Sequence, residues 1–218
     1  MMRAAHVILL WLCAGMSLAD GDRAGRFDYY VLSMSWSPTW CALEGTARDA
    51  AQCDPEAGNG WILHGLWPQF HRGWPANCPT SLPPPSRGMT AAMADIMGSG
   101  GLAWHQWHKH GTCTGLSAAE YFARSREAFA RVRKPGVFRQ LREPVKLSAR
   151  AVEDAFLRAN PRWHRDMLTV TCRENRIQEA RLCLSKTLQP VPCGQDVIRD
   201  CTLADAVLAP VPRSRRVQ

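Results

Sequence analysis

The chain of 218 residues predicts an α+β fold in a single domain: a central, mainly antiparallel β-sheet flanked by helices and stapled by disulfides. Three observations point there. Strand-like and helix-like runs occur without regular βαβ alternation. The helix-like runs carry their own start and stop signals. Of nine cysteines, Cys13 lies in an apolar leader and the other eight are spread along the rest, an even number that suits a disulfide framework. The length fits one domain with a full core.

The elements follow in order. Residues 1–19 read as a secretory signal peptide, with Arg3 as the positive region, Val7 to Leu18 as the apolar core and Ser17-Leu18-Ala19 as a small-x-small cleavage site. The domain is expected over 20–212. Phe27 to Trp36 is aromatic, β-branched and partly alternating, which predicts a central strand ended by Ser37-Pro38. Residues 41–60 read as a loop with one helical turn. Trp61 to Trp67 is apolar except for His64 and predicts a second buried strand, stopping at Pro68. Gly65 within it marks a close approach by a ligand or another backbone.

Five prolines make 71–88 an irregular loop, Met89 to Met97 predicts a short helix, and Gly98-Ser99-Gly100-Gly101 a linker. Ser117 with Glu120 forms a capping box ahead of the apolar stripe Tyr121, Phe122, Phe129 and Val132, and Lys134-Pro135-Gly136 ends that helix. Ser148 caps another helix, which Asn160-Pro161 stops. Met167–Cys172 and Ile177–Leu184 predict a hairpin turning at Glu174-Asn175. The basic tail, 213–218, is expected to be disordered.

A formal net charge of +8 favours a polyanionic partner. After the leader no run reaches the length of a membrane span, so an exported protein, periplasmic or extracellular, is expected. Paired C-x-x-C spacing is absent, which argues against a cysteine zinc site. The eight cysteines alone leave 105 pairings open.

The chemistry concentrates in Leu102 to Cys113, L-A-W-H-Q-W-H-K-H-G-T-C. It holds His105, His108 and His110, three of the seven histidines, beside Lys109. On a helix His105 and Lys109 share a face and suit an anionic phosphate. Spacings of i, i+3 and i, i+5 do not converge three imidazoles on one metal ion, and 99–116 contains no Asp or Glu, so no metal is expected.

W-I-L-H-G-L-W-P at 61–68 and H-Q-W-H-K-H-G-T-C at 105–113 together resemble the two active-site segments of the ribonuclease T2 family, in the same order and at similar separation. S-W-S-P-T-W-C at 35–41 is similar to that family's first strand and its cysteine. The resemblance implies a cofactor-free endoribonuclease acting on RNA. The ribose 2′-hydroxyl would attack the adjacent phosphate, giving 2′,3′-cyclic phosphate ends and, in a second step, 3′-phosphates. It implies His110 as general base, His64 as general acid, His105 as phosphate-binding histidine, Lys109 as the cation stabilising the developing charge, and Trp67 as a base-stacking residue. His108 falls at a variable position and reads as exposed. Gln69 is a further candidate for substrate binding. Low base specificity and a monomer without an obligate protein partner are expected.

The resemblance also implies a Cys78–Cys113 disulfide joining the two catalytic segments. Locality suggests Cys41–Cys53, and nesting suggests Cys172–Cys201 around Cys183–Cys193. One departure matters: where the family carries glutamate, this chain has Gln106, which hydrogen-bonds but cannot ionise. Retained activity is expected, and the alternative is an exported RNA-binding homologue with reduced or lost catalysis.

Overall fold

The computed structural model describes residues 22–212, so the signal-peptide and tail readings of 1–19 and 213–218 lie outside the described residues. Six strands form one mixed sheet: β1 (Tyr29–Trp36), β2 (Trp61–Gln69), β3 (Val145–Leu147), β4 (Leu168–Arg173), β5 (Arg176–Leu184) and β6 (Ala206–Leu208). β1 lies between β2 and β5, and β4 pairs with the other side of β5, all antiparallel. β6 meets β5 in a single parallel pair, Arg176 with Val207, and joins β3. The helices are α1 (Ser37–Trp40), α2 (Arg87–Ala91), α3 (Ala94–Met97), α4 (Gly100–Lys109), α5 (Ala118–Ala130) and α6 (Ala149–Ala159).

Alternation along the strands sorts side chains by face. Leu32, Met34 and Trp36 of β1 and Ala180, Leu182 and Leu184 of β5 pack with Phe122 and Phe129 of α5 and Val152 and Phe156 of α6. The other face carries Val31 and Cys183 in a small cluster with Tyr29 and Val197, and there Glu179 and Arg181 project. Helices thus cover one face, and part of the other is left for a cleft.

Several expectations are corrected. β2 runs through Pro68 to Gln69 because it is an edge strand, where the missing N–H of proline leaves the ladder to β1 intact. The helix expected over Met89–Met97 is two short helices broken at Ala92-Met93. The glycine linker is in part helix. Ser99 accepts from the Leu102 N–H at 3.1 Å as N-cap, and Gly100 opens α4, where a Cβ would come within 3.2 Å of the Thr90 backbone. Helices α5 and α6 start at Ser117 and Ser148 as predicted, the first with its capping box. The hairpin turns at Glu174-Asn175, both at positive φ, as a tight two-residue turn requires. β3 and β6, three residues each, were not foreseen.

Candidate active site

His64 owes its direction to a break in strand register. Ser33 of β1 pairs with Gly65 and Met34 pairs with Leu63, so His64 is an extra residue without a partner, a β-bulge. Regular alternation would put Leu63 and Leu66 on opposite faces. The bulge returns both to the core and brings His64 and Trp67 together on the cleft side. Their rings meet edge to face with centroids 5.3 Å apart.

Helix α4 supplies the other half. Trp107 and Ala103 anchor it in the core, while His105 is exposed, Lys109 half-buried and His108 exposed. His110 follows as its C-cap, donating its backbone N–H to Gln106 O at 3.0 Å. The His110 ring is 6% exposed and stacks on Trp67 at 5.2 Å and 27°. Trp67 therefore stands between the two imidazoles, and its Nε1 donates to Gln106 Oε1 at 2.7 Å. Gly65 makes that bond possible, since a Cβ there would lie 2.2 Å from the Gln106 oxygen. The close approach expected at Gly65 is made by these side chains.

Four disulfides brace the surroundings: Cys41–Cys53, Cys78–Cys113, Cys172–Cys201 and Cys183–Cys193. Cys78–Cys113 fastens the loop after β2 to the turn after α4. The Asn77 N–H, donating to Lys109 O at 2.8 Å, reinforces the junction.

A cleft of about 320 Å³ brings together His64, Trp67, Gln69, His105, Gln106, Lys109 and His110, with Trp74, Arg181 and Asp196 in addition. A second cavity of about 280 Å³ lies on the other side of His64, lined among others by Ser35, Leu102, Glu44 and Arg173. Trp74, 56% exposed at the cleft, was not singled out in the sequence, nor was Glu179. Glu179 is 2% exposed; its Oε1 bonds His64 Nδ1, and its Oε2 accepts from Arg181 Nε at 2.8 Å and Nη2 at 2.6 Å.

Electrostatics separate the groups. Burial pulls His110 down to about 3, helped by the charges of Lys109, His64 and His105. Its Nδ1 is buried without a hydrogen-bond partner among the described residues, which further disfavours the doubly protonated ring. Burial and then the Lys109 charge lower His105 as well. Burial alone would raise Glu179, but the bond to and charge of His64, together with Arg181, hold it down to about 2. The cleft therefore holds a neutral imidazole, a carboxylate-bound imidazole and several cations. That combination can remove a proton, supply one and hold an anion between them. Among the described residues no group of three or more His, Cys, Asp or Glu side chains is arranged to hold a metal ion.

Fold and cleft together define a class, α+β proteins with two histidines brought into one cleft at a sheet edge. The chain belongs to the ribonuclease T2 family, whose profile matches residues 27–193. A ribonuclease of Aeromonas hydrophila is 44% identical over 103 residues, covering 47% of this chain and 45% of that protein. A probable ribonuclease of Haemophilus influenzae is 33% identical over 120 residues, covering 50% and 44%. The match thus spans about half the length of these relatives or less. In fold the chain is similar to the RNase-related protein from Calystegia sepium, with a TM-score of 0.61 at 18% identity, covering 86% of this chain and 98% of that one. RNase NT, solved with 5′-AMP, gives 0.56 at 17% identity, covering 86% and 99%.

Proposed function

We propose that the protein is an endoribonuclease that cleaves single-stranded RNA by transphosphorylation, without a metal or organic cofactor. The observation that carries the reading is the placement of two imidazoles in unlike surroundings, His110 and His64, on either side of Trp67 in one cleft. His110, held neutral, takes the proton of the ribose 2′-hydroxyl. The 2′-oxygen bonds to phosphorus, the bond to the 5′-oxygen breaks, and His64 gives that oxygen its proton. Lys109 and His105 stabilise the phosphorane charge more than the charge of the substrate. The product ends in a 2′,3′-cyclic phosphate, and water in place of the 2′-oxygen then gives a 3′-phosphate.

Two cavities flanking His64 suit the two nucleotides on either side of the scissile phosphate. Trp74 offers an open aromatic face to a base, whereas Trp67 is occupied by His110 and Gln106 and serves more to hold the histidines. Stacking of this kind tolerates many bases, which favours low specificity. Gln106 is bonded to Trp67 and takes no position in the acid–base pair, so the binding-only alternative loses its one support. Four disulfides favour an oxidising compartment, periplasmic or extracellular.

The test is cleavage of single-stranded RNA by the purified protein in EDTA. Cyclic phosphate ends, lost in His64→Ala and His110→Ala, are expected. Binding without cleavage, or activity abolished by the chelator, would overturn the reading.

A further inference from the structure

We propose that Glu179 is a positioning residue of this site, acting through His64: clamped by Arg181, it orients the acid and balances its charge. The inference rests on the RNA-cleaving reading above. Glu179 sits on the middle of β5, between β1 and β4, where a carboxylate is costly and an apolar side chain is ordinary. Neither oxygen serves the fold. Among the described residues its side-chain hydrogen bonds go only to His64 and to Arg181, both of which line the cleft.

The arrangement answers a need that the bulge creates. The bulge sets where the His64 Cβ points but leaves the ring free to turn. The Glu179 bond fixes the ring and takes up Nδ1, so Nε2 is the nitrogen left for substrate. Arg181, on the same face two residues on, fixes Glu179 through two N–H groups on one oxygen. Around His64 the fixed cations are Arg181 from β5, Lys109 from α4 and Arg173 in the lining of the second cavity, with the imidazoles of His105 and His110 beside them. Glu44 is paired with Arg173 and Asp196 accepts from the Gly73 N–H, so among the described residues Glu179 is the acid bonded to the imidazole. During cleavage the proton on Nε2 passes to the 5′-oxygen as its bond to phosphorus breaks. The proton on Nδ1 stays with the ring, held toward Glu179.

The role can be separated from mere structural support by choosing the leaving group. A dinucleoside phosphate needs a general acid, whereas a nucleoside 3′-(4-nitrophenyl phosphate) leaves without one. In Glu179→Gln we expect kcat on the dinucleoside phosphate to fall about 10- to 100-fold, within the roughly 10²–10⁴-fold range of general acid catalysis. On the nitrophenyl ester the same variant should stay within about threefold of wild type, and His64→Ala/Glu179→Gln should be no worse than His64→Ala alone. Equal losses on both substrates, or no loss on either, would overturn the proposal. Failure of the wild type to cleave RNA would instead remove the reading on which it rests, and this proposal with it. If Glu179→Gln does not fold, 15N resonances of His64 in the wild-type protein decide. Nδ1 protonated and bonded supports the role, and a bare Nδ1 overturns it.

Discussion

Trp67 Nε1 donates to Gln106 Oε1 at 2.7 Å, so the residue that departs from the family pattern is tied to the indole that separates the two imidazoles. Gln106 is 2% exposed. A glutamate there would bring a buried negative charge into the same cleft as His110 and favour its charged form. Gln106→Glu should therefore shift the acidic limb of kcat/KM to higher pH. Gln106→Leu leaves the indole N–H without its acceptor and should destabilise the fold by about 1–3 kcal/mol, the usual cost of an orphaned buried donor. A pH–rate profile of the first variant and a denaturant titration of the second check this, and an unchanged profile or midpoint would count against it.

The wild-type profile has its own signature. With His110 held down to about 3, the base stays unprotonated well below the ordinary imidazole range, so kcat/KM should hold into acid where a base of about 6.5 would have failed. Stability runs the other way. The unfolded chain takes up a proton on this histidine below about 6.5, while the fold refuses it until about 3. This contribution to stability is therefore present above about 6.5 and lost as pH falls toward 3. Cleavage rates and denaturant midpoints over the same pH series separate the two effects.

Trp74 should matter for binding more than for chemistry. Trp74→Ala is expected to raise KM roughly 5- to 100-fold, matching about 1–3 kcal/mol for a lost base stack, with kcat little changed. A fall in kcat at constant KM would refute the assignment.

Behind the sheet, burial raises Glu153 to about 8, with the hydrogen bond to and charge of Asp200 adding to it. Among the described residues its Oε1 is buried without a donor, and protonation lets the carboxyl donate to Asp200. A carboxyl raised in the fold favours folding below its unfolded value, near 4.5, and loses that contribution as pH climbs through about 8. Glu153→Gln mimics the protonated form. Its Tm relative to wild type should rise from pH 4.5 to 8 and level off above, as thermal melts would show.

Cys78→Ala/Cys113→Ala should destabilise the protein by about 2–4 kcal/mol in denaturant titrations. It should also lower kcat, because the loop carrying Asn77 would no longer hold the end of α4. A stability loss with kcat intact would mean that the bond braces the fold alone.

The sequence revealed the two motif segments, the helix caps and the hairpin because each is written in neighbouring residues. Ser117 with Glu120 and Glu174 with Asn175 are local chemistry, readable without the rest of the chain. Glu179 was not readable. A lone carboxylate in R-I-Q-E-A-R-L-C reads as a solvent-facing residue, and only the pairing of β5 with β1, itself paired with β2, brings it to His64. Trp74 was hidden in a proline-rich loop whose path no periodicity describes. Pro68 misled because its meaning depends on whether the strand is an edge, a property of the whole sheet. β3 and β6 are too short to show a period.

The bulge at His64 limits what can be transplanted. Residues three apart on a regular strand face opposite ways, so H-G-L-W grafted onto an unbulged strand would split His64 from Trp67 whatever side chains surround it. A designer borrowing this half-site must therefore copy a backbone irregularity, with one residue more in the recipient strand than its neighbour can pair. By the same token, deleting Ile62 or Leu63 would be absorbed by straightening the strand, leaving H-G-L-W-P intact and the histidine facing the wrong way.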